Sequence, residues 1–186
     1  MHLLTRLALG KGTYEGFGPA SLERTLFNPE LTATTLYYDF YKFEALRLAG
    51  GASADTYLEQ LSPWRDMLAL GLSTFAEKPE PTRSDCHAWS ASPNYHLLSL
   101  VGGVTPASPG FATVEIAPRL GGLRRFAATM PHPAGVITVR YERSGDAGLR
   151  AEVVLPEGVT GVLRWGGEEV ALGGDGGVVK WESGGR

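Results

Sequence analysis

The spacing of apolar residues changes character near Gly102-Gly103. Ahead of that point apolar side chains recur every three or four positions. Beyond it they alternate with polar ones, and glycine-rich turns intervene. The first half therefore reads as helices and the second as strands. A long helix is predicted from Thr32 to Ala49, stopping at Gly50-Gly51 as a C-terminal cap. Leu36, Phe40 and Phe43 hold helical spacing, and Tyr37, Tyr41, Ala45 and Leu48 spread apolar surface around the cylinder. A helix of that kind is contacted on more than one side. A second helical stretch starts at Ser53 as N-cap and carries Tyr57, Leu58 and Leu61. Pro63 breaks or restarts it before Trp64, Met67, Leu68 and Leu70 lead to Gly71. A third runs from Ser92-Pro93 through Tyr95, Leu97, Leu98 and Val101, with proline suited to a first turn.

From Phe111 onward the period is two. Ala112, Val114 and Ile116 form one apolar row; Ile137, Val139 and Tyr141 form another; Leu149, Ala151, Val153 and Leu155 form a third. Val159, Leu163 and Trp165 continue the pattern, and Gly166-Gly167 fits a hairpin turn before Val170 and Leu172. Gly173–Gly177 then leads to a last apolar stretch, Val178 to Trp181. Several short strands with one apolar face each predict an antiparallel β-sandwich.

Composition narrows the class without naming a function. The 186 residues suffice for one or two domains with a buried core. A net charge of −3, with Arg124-Arg125 as the only doubled basic site, gives no patch for nucleic acid and no attraction to an acidic membrane surface. The start, Met1 to Gly10, has no basic region before a long hydrophobic run and is too short to span a bilayer; it reads as the tail of a helix whose beginning is missing. The single cysteine, Cys86, excludes an intrachain disulfide and a cysteine zinc cluster, and it fits any redox compartment.

The segment from Gly71 to His96 differs from both halves. It concentrates Glu77, Glu80, Asp85, Cys86, His87, Trp89 and His96 in a loop between helices, and loops held by rigid helices often carry function. Each residue also has an ordinary reading. Glu77 would be a solvated loop carboxylate, His87 a hydrogen-bonded residue opening the next helix, Trp89 core, and Cys86 a small buried hydrophobe. His87 and His96 would share a helix face only if the helix began before Ser92, and a metal site would need further ligands. No metal or cofactor is expected.

The wording of this region is more specific than its spacing. Gly71-Leu72-Ser73-Thr74-Phe75-Ala76-Glu77, followed by Ser84-Asp85-Cys86-His87-Ala88-Trp89-Ser90-Ala91-Ser92-Pro93, resembles the final barrel segment of bacterial α-L-rhamnosidases, glycoside hydrolase family 78. Val104-Thr105-Pro106-Ala107-Ser108-Pro109-Gly110-Phe111, with Val114, Ile116, Ala117-Pro118 and Leu120-Gly121, resembles the junction into that family's C-terminal β-domain. Tyr37 through Leu46 resembles a barrel helix of the same enzymes, so the resemblance covers the chain from about Leu22 onward.

The resemblance implies an α+β chain in two parts: the last helices of a partial (α/α)6 barrel over residues 1–103, then the β-sandwich over 104–186. It implies an inverting hydrolase acting on rhamnose-containing glycosides or oligosaccharides, with Glu77 as general base and His87 contacting sugar hydroxyls. Many relatives have Trp where this chain has Ala76, and a longer loop follows. The family's general acid lies upstream of this chain. Twelve helices of about eleven residues, plus connections, need well over ~150 residues. Only about 100 residues precede the β-half, room for about four helices. The chain is thus expected to lack an upstream barrel segment and to be inactive alone. The alternative is a non-catalytic carbohydrate-binding or structural module of a glycosidase.

Overall fold

The computed structural model describes residues 19–49, 54–145 and 147–183. The predicted helix tail at residues 1–10 and the N-cap at Ser53 lie outside the described residues. The chain divides into two compact units that meet between His96 and Leu97. Among the described residues no helix is long and apolar enough to cross a membrane.

The first unit holds α1 (Pro19–Leu26), α2 (Leu36–Ala49), α3 (Ala54–Glu59), α4 (Ser62–Ala69), a 3-10 turn (Ala88–Ala91) and α5 (Ser92–His96). Helix α2 begins at Leu36 rather than at Thr32. The Thr35 carbonyl accepts the first helical bond, from Asp39 N–H at 2.9 Å. The preceding threonines are stiff at χ1 and bond readily to nearby groups, as Thr34 does to the Asp39 carboxylate, so they favour a cap over a helical turn. Leu36, Phe43, Ala45 and Leu46 of α2 are buried, whereas Tyr37, Tyr38 and Tyr41 remain exposed. Pro63 opens α4, as its position predicts, and Leu36, Trp64, Met67 and Ala76 close one apolar cluster.

The second unit starts with a single π-helical turn (Leu97–Val101), the continuation expected of the third helix. Then follow β1 (Val104–Pro106), a 3-10 turn (Pro109–Phe111), β2 (Thr113–Ile116), β3 (Arg125–His132), β4 (Gly135–Ser144), β5 (Gly148–Val154), β6 (Thr160–Trp165), β7 (Glu168–Leu172) and β8 (Val178–Glu182). They form two four-stranded sheets, ordered β1-β2-β6-β7 and β3-β4-β5-β8. Val114, Ile116 and Leu163 from one sheet share a core with Ile137, Val139, Leu149 and Val153 from the other. No described residue after Pro118 is helical.

Three expectations change. The sandwich is not wholly antiparallel, because β2 and β6 pair in parallel, Val114 opposite Gly161 and Ile116 opposite Leu163. The chain builds β3, β4 and β5 in the other sheet before it returns, so β6 arrives running the same way as β2. Phe111 does not begin a strand; it sits in a turn at φ 61°. And β1 and β3 are additional strands. At Gly166 and Gly167 φ is 56° and 85°, the positive pair that a type I′ hairpin requires. Gly103 is fixed by space as well as by φ, since a Cβ there would lie 2.1 Å from the Ala117 carbonyl oxygen.

Candidate functional site

Helix α4 ends at Ala69, and Gly71, with a φ of 78°, turns the chain away just beyond it. Two strands of loop then run side by side. Glu77 N–H donates to Ser84 O at 2.9 Å and His87 N–H to Phe75 O at 2.7 Å, and Thr74 Oγ1 donates to Asp85 O. These bonds place Glu77 and His87 in neighbouring arms of one hairpin-like loop. Two further contacts hold the loop to the helices. Ser90 Oγ donates to Glu77 O at 3.4 Å, and the buried Trp64 indole donates to Ser90 O at 2.7 Å.

The Glu77 side chain is 12% exposed and is met by a residue that sequence reasoning passed over. Arg83 donates from Nε at 2.5 Å and from Nη2 at 2.6 Å, so its fork occupies both carboxylate oxygens. That bidentate bond is the main reason the Glu77 carboxyl is held below its ordinary range, with smaller help from the charges of His87 and Lys78. Glu77 is therefore ionised at neutral pH, as a general base must be, and it is engaged. Arg83 itself is 76% exposed, so water screens the pair. An ion pair of that exposure holds loosely.

The His87 ring lies against Trp89, centroids 4.5 Å apart and planes tilted by 44°, and its Nδ1 is buried without a hydrogen-bond partner. Trp89 is not core: it is 42% exposed and lies 5.3 Å from the Tyr37 ring. Cys86 is exposed rather than a buried hydrophobe. His96 parts company with His87 altogether. It is fully buried among the rings of Phe40, Phe43 and Tyr57, with Nε2 3.4 Å from Glu44. Burial alone would raise the Glu44 carboxyl, but His96 and the Arg47 fork, at 2.9 Å on both oxygens, outweigh it and hold it at about 2. Among the described residues no group of three or more His, Cys, Asp or Glu side chains is arranged to hold a metal.

Residues 103–179 match the sequence profile of the bacterial alpha-L-rhamnosidase C-terminal domain. Among solved structures, the native α-L-rhamnosidase of Aspergillus terreus superposes on 97% of this chain and 23% of its own, with a TM-score of 0.76 and 20% identity. A family 78 rhamnosidase of Bacillus sp. GL1 covers 87% of this chain and 18% of its own, with a TM-score of 0.69 and 25% identity. The Streptomyces avermitilis α-L-rhamnosidase, in complex with L-rhamnose, covers 87% and 17%, at a TM-score of 0.59 and 17% identity. No curated protein sequence matches the chain. The chain thus spans about a fifth of the length of these enzymes. Residues 103–179 are thus similar to the bacterial alpha-L-rhamnosidase C-terminal domain, and nearly the whole chain shares the fold of a segment of these α-L-rhamnosidases.

Proposed function

We propose that this chain serves as the C-terminal part of an inverting α-L-rhamnosidase, with Glu77 as general base and His87 as a contact to sugar hydroxyls. In this reading residues 1–103 complete an (α/α)6 barrel whose upstream segment supplies the general acid, and residues 104–186 form its C-terminal sandwich. The observation that carries it is the placement of an ionised Glu77 and His87 in adjacent arms of one loop, Glu77 anchored to Ser84 and His87 to Phe75.

In an inverting step the acid protonates the glycosidic oxygen as its bond to the anomeric carbon breaks. A water attacks the opposite face of that carbon and gives its proton to the base, the two carboxyls standing about 6.5–9.5 Å apart. Glu77 takes that proton only after Arg83 releases one of its oxygens. His87, held beside the Trp89 ring, donates or accepts at a sugar hydroxyl. The isolated chain lacks the acid and is inactive.

A non-catalytic carbohydrate-binding role is the second reading, and the Arg83 fork over both Glu77 oxygens favours it. Proton NMR of the first sugar released by the full-length parent separates the two. Inversion yields β-L-rhamnose from an α-L-rhamnoside. The α anomer as first product, or no release at all, overturns the proposal.

A further inference from the structure

The outward face of the β3-β4-β5-β8 sheet carries charge in a pattern that its register dictates. Along each strand every second side chain turns to the core, as Tyr141 and Ala151 do, and those between turn outward. Antiparallel pairing lines the outward residues up in rows across the strands. One row reads Arg125, Glu142, Arg150, Glu182, and the next Ala127, Arg140, Glu152, Lys180. Both rows line one cleft of 780 Å³.

The first row is closed on itself. Arg125 Nε lies 3.3 Å from Glu142 and Arg150 Nε 2.9 Å from Glu182. The second row is not. Its one carboxylate, Glu152, stands 4.0 Å from Lys180, and Ala127 sits where an acid on β3 would meet Arg140. Among the described residues Arg140 forms no ion pair. The eight outward positions thus hold four cations and three carboxylates, and the unmatched charge is that of Arg140. A guanidinium presents paired N–H donors in a plane, a match for a carboxylate.

The shape and the remaining groups restrict the ligand further. Four strands about 4.8 Å apart make rows roughly 14 Å long, more than one sugar ring covers. The volume falls within the about 300–1,000 Å³ of small-molecule sites. Donors and acceptors alternate along the rows, which suits hydroxyls, since a hydroxyl both donates and accepts. We infer that this face binds an acidic oligosaccharide, one sugar carboxylate held by Arg140 above Ala127 and the neighbouring hydroxyls set along the two rows. The saccharide class rests on the glycosidase reading above, and the charge rests on Arg140. Turnover by a parent enzyme reports on Glu77, whereas binding to this chain reports on the sheet face, so each can fail while the other holds.

The test is a calorimetric titration of the 186-residue chain with trigalacturonate at low salt, beside neutral maltotriose and monomeric galacturonate. Saturable binding of trigalacturonate, tighter than that of either control, is expected. Arg140→Gln changes an exposed side chain, so Tm should hold while affinity falls about tenfold or more, the range of a lost charge-assisted hydrogen bond. Ala127→Glu keeps Arg140 but gives it a cross-strand partner, and it should weaken binding likewise. Four results overturn the proposal: no saturable heat with trigalacturonate, equal affinity for either control, full affinity in either variant, or self-association without sugar that Arg140→Gln abolishes. The last would mean that a second copy of the chain covers the face instead.

Discussion

Tyr141→Phe isolates one buried hydrogen bond in the β unit. Tyr141 is 3% exposed, stacks on Phe126 at 5.8 Å, and donates its hydroxyl to Gly102 O at 2.9 Å. Burial pushes its ionisation up, so the hydroxyl keeps its proton across the accessible pH range. Phenylalanine retains the ring and its stack and deletes only the oxygen. The loss is then the net bond, about 0.5–1.5 kcal/mol, rising to about 1–3 kcal/mol if the Gly102 carbonyl stays buried and dry. One kcal/mol lowers Tm by about 4–8 °C in a domain of 60–100 residues. Thermal unfolding of the whole chain, followed through near-UV dichroism, should therefore show the β-unit transition about 2–24 °C lower. A decrease under about 2 °C would refute the reasoning, since it would mean that the carbonyl is satisfied without Tyr141.

Further outcomes follow from the same geometry. Ile137→Asp and Val153→Asp each place a carboxyl at a site 1% exposed, and each should cost about 2–7 kcal/mol in denaturant unfolding; a cost near zero would mean that these strands face solvent. Glu44 should make the helical unit acid-sensitive. Its folded carboxyl titrates at about 2, against an ordinary 4.5, so its contribution is present above pH 4.5 and disappears as pH falls toward 2. Tm measured against pH should fall more steeply over that window in the parent chain than in Glu44→Gln, and parallel curves would contradict the pairing. Arg83→Gln should raise the Glu77 carboxyl toward its ordinary range in a carbon-NMR titration, because its principal hydrogen bond is lost; an unmoved Glu77 would mean that the fork is not formed in solution.

What was legible in the sequence was whatever burial writes into a local period. In β4 and β5, Ile137, Val139, Leu149 and Val153 alternate with polar residues because one face meets the core and the other water. Strand β3 was not legible. Phe126, Ala128 and Met130 pack against the core, but Ala127 between them and Pro131 after them blur the alternation. Strand β1, three residues long, is too short to show a period, and the parallel β2–β6 pair joins segments more than forty residues apart. Local pattern carries no record of such a partner.

The site divides along the same line. The loop was visible as a change of composition, and Glu77 and His87 by resemblance. Arg83 was not, because its contact to Glu77 is made across a turn whose path no spacing rule gives. Core was the ordinary reading of Trp89, because size and hydrophobicity suggest burial, whereas in the fold it lies beside Tyr37 at the rim of a cleft. His96, grouped with His87 by sequence, faces Glu44 in the core because the turn at Ala88–Ala91 separates the two.

The role of Glu77 is tested most directly by steady-state hydrolysis of an aryl α-L-rhamnoside by a full-length parent enzyme and its Glu77→Gln variant. An amide cannot take the water's proton, and general-base assistance is worth about 10²–10⁴-fold, so kcat should fall by that range while the fold, followed by Tm, is unchanged. Undiminished turnover in a folded Glu77→Gln enzyme would remove Glu77 from the reaction.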